Sequence, residues 1–87
     1  MKVTVVRSGG FAGVTRSWEV SIDEREDRDS WLEFLDRLPW HDTPHERAKP
    51  DAFSYRIQCS PHRITLPEQA LIGPWRELVD RVQEASD

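Results

Sequence analysis

The sequence predicts an α+β fold: a four-stranded antiparallel sheet, element order β-β-α-β-β-α, with two helices packed on one face. Three observations predict it. Four short runs alternate apolar and polar residues with a period of two. Two longer runs repeat apolar residues at helical spacing. Glycine and proline clusters separate these runs.

The first strand spans about residues 2 to 7, where Val3 and Val5 alternate with Lys2 and Thr4. A glycine-rich loop follows, and then a second strand with Val14, Trp18, Val20 and Ile22 on one face. Asp23-Glu24-Arg25-Glu26 has the form of a capping box, an acceptor side chain followed three positions later by glutamate. The first helix carries Trp31, Phe34, Leu35 and Leu38, and Pro39 ends it because the residue before proline avoids helical geometry. Residues 39–51 contain Pro39, Pro44 and Pro50 and form a long loop, a class of connection that is often functional.

Phe53, Tyr55, Ile57 and Cys59 point inward on the third strand, with Ser54, Arg56 and Gln58 outward. Ser60-Pro61-His62 turns the chain into a short fourth strand carrying His62, Ile64 and Leu66. Pro67 opens a helical turn that Gly73 interrupts. Pro74 restarts the helix at a position where a missing N–H is harmless. Leu71, Trp75, Leu78, Val79 and Val82 form the stripe of this second helix. Trp18, Trp31 and Trp75 therefore belong to the core, whereas Trp40 has no periodic partner.

Residues 1–87 make one domain with one small core. The formal charge of −4 argues against nucleic acid, whose binding needs a basic face. No run approaches the ~20 apolar residues of a transmembrane helix, so no membrane partner is expected. Met1–Val6 is too short for a signal peptide, and a single cysteine, Cys59, cannot close an internal disulfide. The expected location is the cytoplasm, and the expected free state is a monomer.

The chemistry-bearing residues do not assemble into a catalytic signature. His41, Asp42, His45 and Glu46 hold metal-ligating side chains, but Pro44 breaks the helix that would align them, so they read as a solvated loop. His62 reads as a half-buried, hydrogen-bonded residue and Cys59 as a small core residue. The chain is not expected to be an enzyme or to bind a cofactor or metal of its own.

The most informative segment is Arg7-Ser8-Gly9-Gly10-Phe11-Ala12-Gly13, where three glycines surround a large apolar side chain between two strands. Phe11 is either an anchor for a concave partner or a plug that folds back over the sheet end. Tracing strand directions, with the first helix returning along the sheet, puts this loop and the 39–51 loop at the same end. Trp40 would then stand beside Phe11, placed to touch a partner's rim.

These motifs resemble the emfourin family. Arg7–Gly13 after a short strand and Pro50-Asp51-Ala52-Phe53-Ser54-Tyr55 at the start of the third strand carry the resemblance. Emfourins are small bacterial protein inhibitors of protealysin-like, thermolysin-type zinc peptidases. The resemblance implies inhibition by two adjacent loops, 8–13 and 39–51. One would fill substrate pockets with apolar residues, and the other would place an aspartate on the target's catalytic zinc. The apolar role maps onto Phe11 with Ala12, in the frame of Ser8, Gly9, Gly10 and Gly13. The aspartate maps onto Asp51, behind Pro50, or onto Asp42, beside Trp40. Asp51 is preferred because the third strand fixes its position. The competing class is a non-enzymatic interaction module that binds another partner through the same loops, and an adjacent peptidase gene would favour inhibition.

Overall fold

Strand alternation sets the sheet. The computed structural model describes residues 1–9, 15–41, 52–60 and 62–86. In chain order they form β1 (Lys2–Gly9), β2 (Arg16–Ser21), α1 (Arg28–Arg37), β3 (Phe53–Cys59), β4 (His62–Pro67), a short 3-10 helix (Glu68–Ala70) and α2 (Pro74–Ala85). The expected α+β class, with one four-stranded antiparallel sheet and two helices, is observed. Strand order is β2-β1-β3-β4, so two hairpins join along their first strands.

Residues directly opposite in an antiparallel pair share a face. The register sets Val3 against Val20, Val5 between Trp18 and Ile57, Tyr55 against Leu66, and Cys59 against His62. These positions line the inner face, with Val3, Val5, Ile57 and Leu66 fully enclosed. Both helices cover this face, adding Trp31, Leu35, Trp75, Leu78, Val79 and Val82 to the same core. The opposite face carries Lys2, Glu19, Arg56, Gln58, Arg63 and Thr65, which are all exposed. Burial also pushes the Cys59 thiol up, away from the reactive thiolate.

The first helix departs from the sequence expectation in two ways. It begins at Arg28, with Asp27 rather than Asp23 as its N-cap. The Asp27 carboxylate makes no backbone cap. It accepts from Arg25 Nε at 2.8 Å and from Trp31 Nε1 at 3.2 Å. The Arg25 hydrogen bond holds its pKa below the usual carboxylate range. Asp23 instead binds the terminal ammonium of Met1. An acidic run offers several similar caps, and these tertiary partners decide among them.

Second, α1 runs across the strands and not along them. It starts near Ile22, at the end of edge strand β2, and its C-terminal side reaches His62, at the start of the opposite edge strand β4. On the way it borders Met1, Cys59 and Ser60, which mark the same end of the sheet. Ten helical residues span about 15 Å, and the distance between the edges of four strands is about 14 Å, so the helix matches the sheet's width. The expectation that α1 carries the chain back to the glycine-loop end is therefore corrected.

α2 lies antiparallel beside α1. Pro74 and Leu38 share one groove between the helices, and Arg81 stacks on Phe34 at 4.5 Å and on Trp31 at 5.6 Å. Gly73 adopts φ 60°, ψ −132°, a shape open essentially to glycine alone, and its carbonyl accepts the first helical bond from Glu77. This glycine allows the chain to leave Leu71 in the core and re-enter at Trp75.

Candidate functional site

The two ends of the sheet carry different chemistry. At the upper end β1 finishes and β3 begins, with Gly9 directly opposite Phe53 and Ser8 opposite Ser54. Gly9 has φ +92°, and a Cβ there would meet the Ala52 carbonyl oxygen at 3.3 Å. The left-handed backbone and this close approach both require glycine. Gly9→Ala is expected to destabilise the domain by about 1–2 kcal/mol, read from denaturant unfolding. An unchanged midpoint would show that the turn relaxes freely.

Gly10, Phe11, Ala12 and Gly13 follow Gly9 directly but lie outside the described residues, as do Asp42, Pro50 and Asp51. The strand that Pro50 and Asp51 introduce does begin at the upper end, as expected. Val14, His45 and Glu46 also lie outside the described residues.

Trp40 does not stand at the upper end. Its ring stacks on His62 with centroids 4.6 Å apart and planes within 5°, and it meets Trp75 edge-on at 5.3 Å. Its Nε1 donates to the Leu35 carbonyl at 2.9 Å. His62 pairs with Cys59 at the lower end of the sheet. Trp40 is thus a half-buried part of the scaffold, fixed by partners that the local sequence does not reveal. His41 joins the same cluster, edge-on to His62 at 6.2 Å. His62 is inward and half-buried as expected, but among the described residues its side chain makes ring contacts, with Trp40 and His41, in place of the expected hydrogen bond. The lower end also has a groove of about 470 Å³ lined by Met1, Leu32, Leu35, Trp40, Cys59 and His62.

The segment between His41 and Ala52 therefore joins opposite ends of the sheet. Only its second end is adjacent to the glycine loop. The separation is one strand length, about 20 Å for the seven residues of β3. Eleven residue steps reach up to about 36 Å, so the chain can make that climb.

One feature of the upper end is absent from the expectations. Arg7 lies on the inner face, in phase with Val3 and Val5, and directly opposite Arg16. Its guanidinium carbon sits 4.5 Å from the Phe53 ring centre and 5.5 Å from that of Trp18, while Arg16 lies 5.4 Å from the same indole. The signal was in the sequence: two arginines falling on the apolar phase of adjacent strands. Among the described residues no group of three His, Cys, Asp or Glu side chains is placed to hold a metal, and no helix is long and apolar enough to cross a membrane.

The Emfourin family model matches residues 5–83, from within β1 to within α2. No curated protein and no solved structure matches the chain.

Proposed function

The chain belongs to the emfourin family, a family of protein inhibitors of metallopeptidases, and from that premise we propose that its upper end blocks the active site of a thermolysin-type zinc peptidase. The contact surface consists of Ser8, Gly9, Gly10, Phe11, Ala12 and Gly13 together with Pro50 and Asp51. The observation that carries this reading is the register of β1 and β3. Gly9 faces Phe53, so the strand that leads into the glycine loop and the strand that the 39–51 loop leads into meet at one end of a rigid sheet. Asp51 immediately precedes Ala52, whereas Asp42 follows His41 at the lower end. Chain connectivity thus favours Asp51 over Asp42 as the neighbour of Phe11.

The mechanism follows from zinc chemistry. A catalytic zinc keeps one coordination position for water. The Asp51 carboxylate would take that position in place of the water nucleophile. Phe11 fills the adjoining apolar pocket, which contributes about 1.5–3 kcal/mol on full burial. The loop end blocks the cleft without lying through it as a cleavable strand. The metal belongs to the target.

The test is titration of protealysin with the chain, using a chromogenic peptide as reporter. The wild-type chain is expected to abolish turnover at equimolar ratio. Phe11→Ala is expected to weaken inhibition about tenfold to a hundredfold with an unchanged melting temperature. A large drop in melting temperature with full inhibition would make Phe11 a plug of the sheet end.

A further inference from the structure

We infer that Arg7 and Arg16 form a paired guanidinium site that binds a surface carboxylate of the target peptidase beside its cleft. The inference rests on the inhibitory role proposed above and names the partner chemistry of the same end.

Three observations carry it. First, two arginines stand directly opposite each other on neighbouring strands, a like-charge arrangement that destabilises a sheet. Second, no carboxylate lies within 4.0 Å of either among the described residues; Arg56, Arg63 and Arg81 share that lack, but none of them stands opposite another arginine in the strand register. Glu68 and Asp80 share a hollow of about 290 Å³ with Arg7, but both are beyond ion-pair reach of it, and Asp80 pairs with Arg76 at 3.5 Å. The Nε of Arg7 is buried without a hydrogen-bond partner. Third, the rings of Trp18 and Phe53 hold the guanidinium groups in place. A guanidinium held over a ring keeps its in-plane donors for an acceptor at its edge, and two arginines from facing strand positions that share one indole suit a carboxylate.

Such local conflicts, tolerated in an otherwise consistent sheet, mark positions kept for a partner. The location agrees: Arg7 is two residues before Gly9, and Phe53 is Gly9's cross-strand neighbour. The net charge of −4 disfavours a polyanion such as nucleic acid. An isolated carboxylate on a protein surface faces no such penalty.

The experiment measures inhibition of protealysin at about 10 mM and about 1 M salt, where charges are felt over about 30 Å and 3 Å respectively. The variants are Arg7→Gln, Arg16→Gln, the double variant and Arg16→Lys, each checked by thermal melting. Arg16 is exposed, so Arg16→Gln tests the charge without disturbing the core. Wild-type inhibition is expected to weaken with salt. The double variant is expected to inhibit about tenfold to a hundredfold less well at low salt, chiefly through slower association, and to lose the salt dependence. Arg16→Lys should keep the salt dependence but not the full affinity.

Unchanged inhibition and salt dependence in the double variant would overturn the inference and leave the inhibitory role standing. So would a salt-sensitive loss of melting temperature in free Arg7→Gln with the salt dependence of inhibition intact, since the acceptor would then be internal. A wild-type chain that does not inhibit would overturn both.

Discussion

Trp75→Ala is expected to leave little folded protein at 25 °C. Trp75 is 3% exposed and sits where α2 enters the core, in edge contact with Trp40. Truncating a buried tryptophan removes about 3–5 kcal/mol, through lost transfer energy and the cavity left behind. A domain of 87 residues has about 4–13 kcal/mol in total. The loss propagates, because Trp75 supports Trp40, which in turn stacks on His62. Trp31→Ala belongs to the same class, at 2% exposure, with the added loss of the Asp27 bond. Trp40→Ala is expected to cost about 2–3 kcal/mol, more than a loop residue would, since one stack, one edge contact and one hydrogen bond go together. Trp18 is only half-buried and should fall below Trp31 and Trp75. Urea unfolding of the four variants checks this order. A Trp40→Ala midpoint equal to wild type would return Trp40 to the solvent.

Asp51→Asn is expected to have the largest effect on inhibition with no effect on folding. A carboxylate ligates zinc as an anion, whereas an amide oxygen is a neutral and poor ligand. The carboxamide has the same size, so steric fit to the cleft is preserved and the difference isolates the charge. Loss of one charged contact at a desolvated centre corresponds to about 2–5 kcal/mol, or about thirtyfold to several thousandfold in the inhibition constant. Asp42→Asn should change little, since the chain enters that position from the end that holds His41. Parallel titrations of protealysin with both variants settle the choice. A strong effect of Asp42→Asn alone would reassign the ligand, and no effect of either would remove zinc capping from the mechanism.

The sheet was readable in the sequence because burial of one face enforces a period of two. Val3 and Val5, Tyr55 to Cys59, and Ile64 with Leu66 declare their phase without help from distant residues. The helical stripes of Trp31–Leu38 and Trp75–Val82 were readable for the same reason. The direction of α1 over the sheet was not. An apolar stripe packs on a flat apolar face at many angles, and only the fit of helix length to sheet width selects one. The place of Trp40 was not legible, because its ring partners, His62 and Trp75, lie 22 and 35 positions further along the chain (40 to 62 and 40 to 75). Arg7 shares the apolar phase of β1, but periodicity alone does not show that a charge there faces a second arginine across the sheet. The glycine loop is legible in the sequence, since a phenylalanine among three glycines serves neither a strand nor a tight turn.

The separation of the Trp40–His62 stack from the Gly9–Phe53 pair has a consequence for engineering. Substitutions further apart than about 7–10 Å with no shared partners combine additively. The two ends lie about 20 Å apart, one strand length. Stabilising changes around the lower groove should therefore add to affinity changes at the upper end without epistasis. An inhibitor for a different peptidase could then be evolved by diversifying only the upper loops, on a scaffold pre-stabilised from below to tolerate the destabilising variants such a library contains.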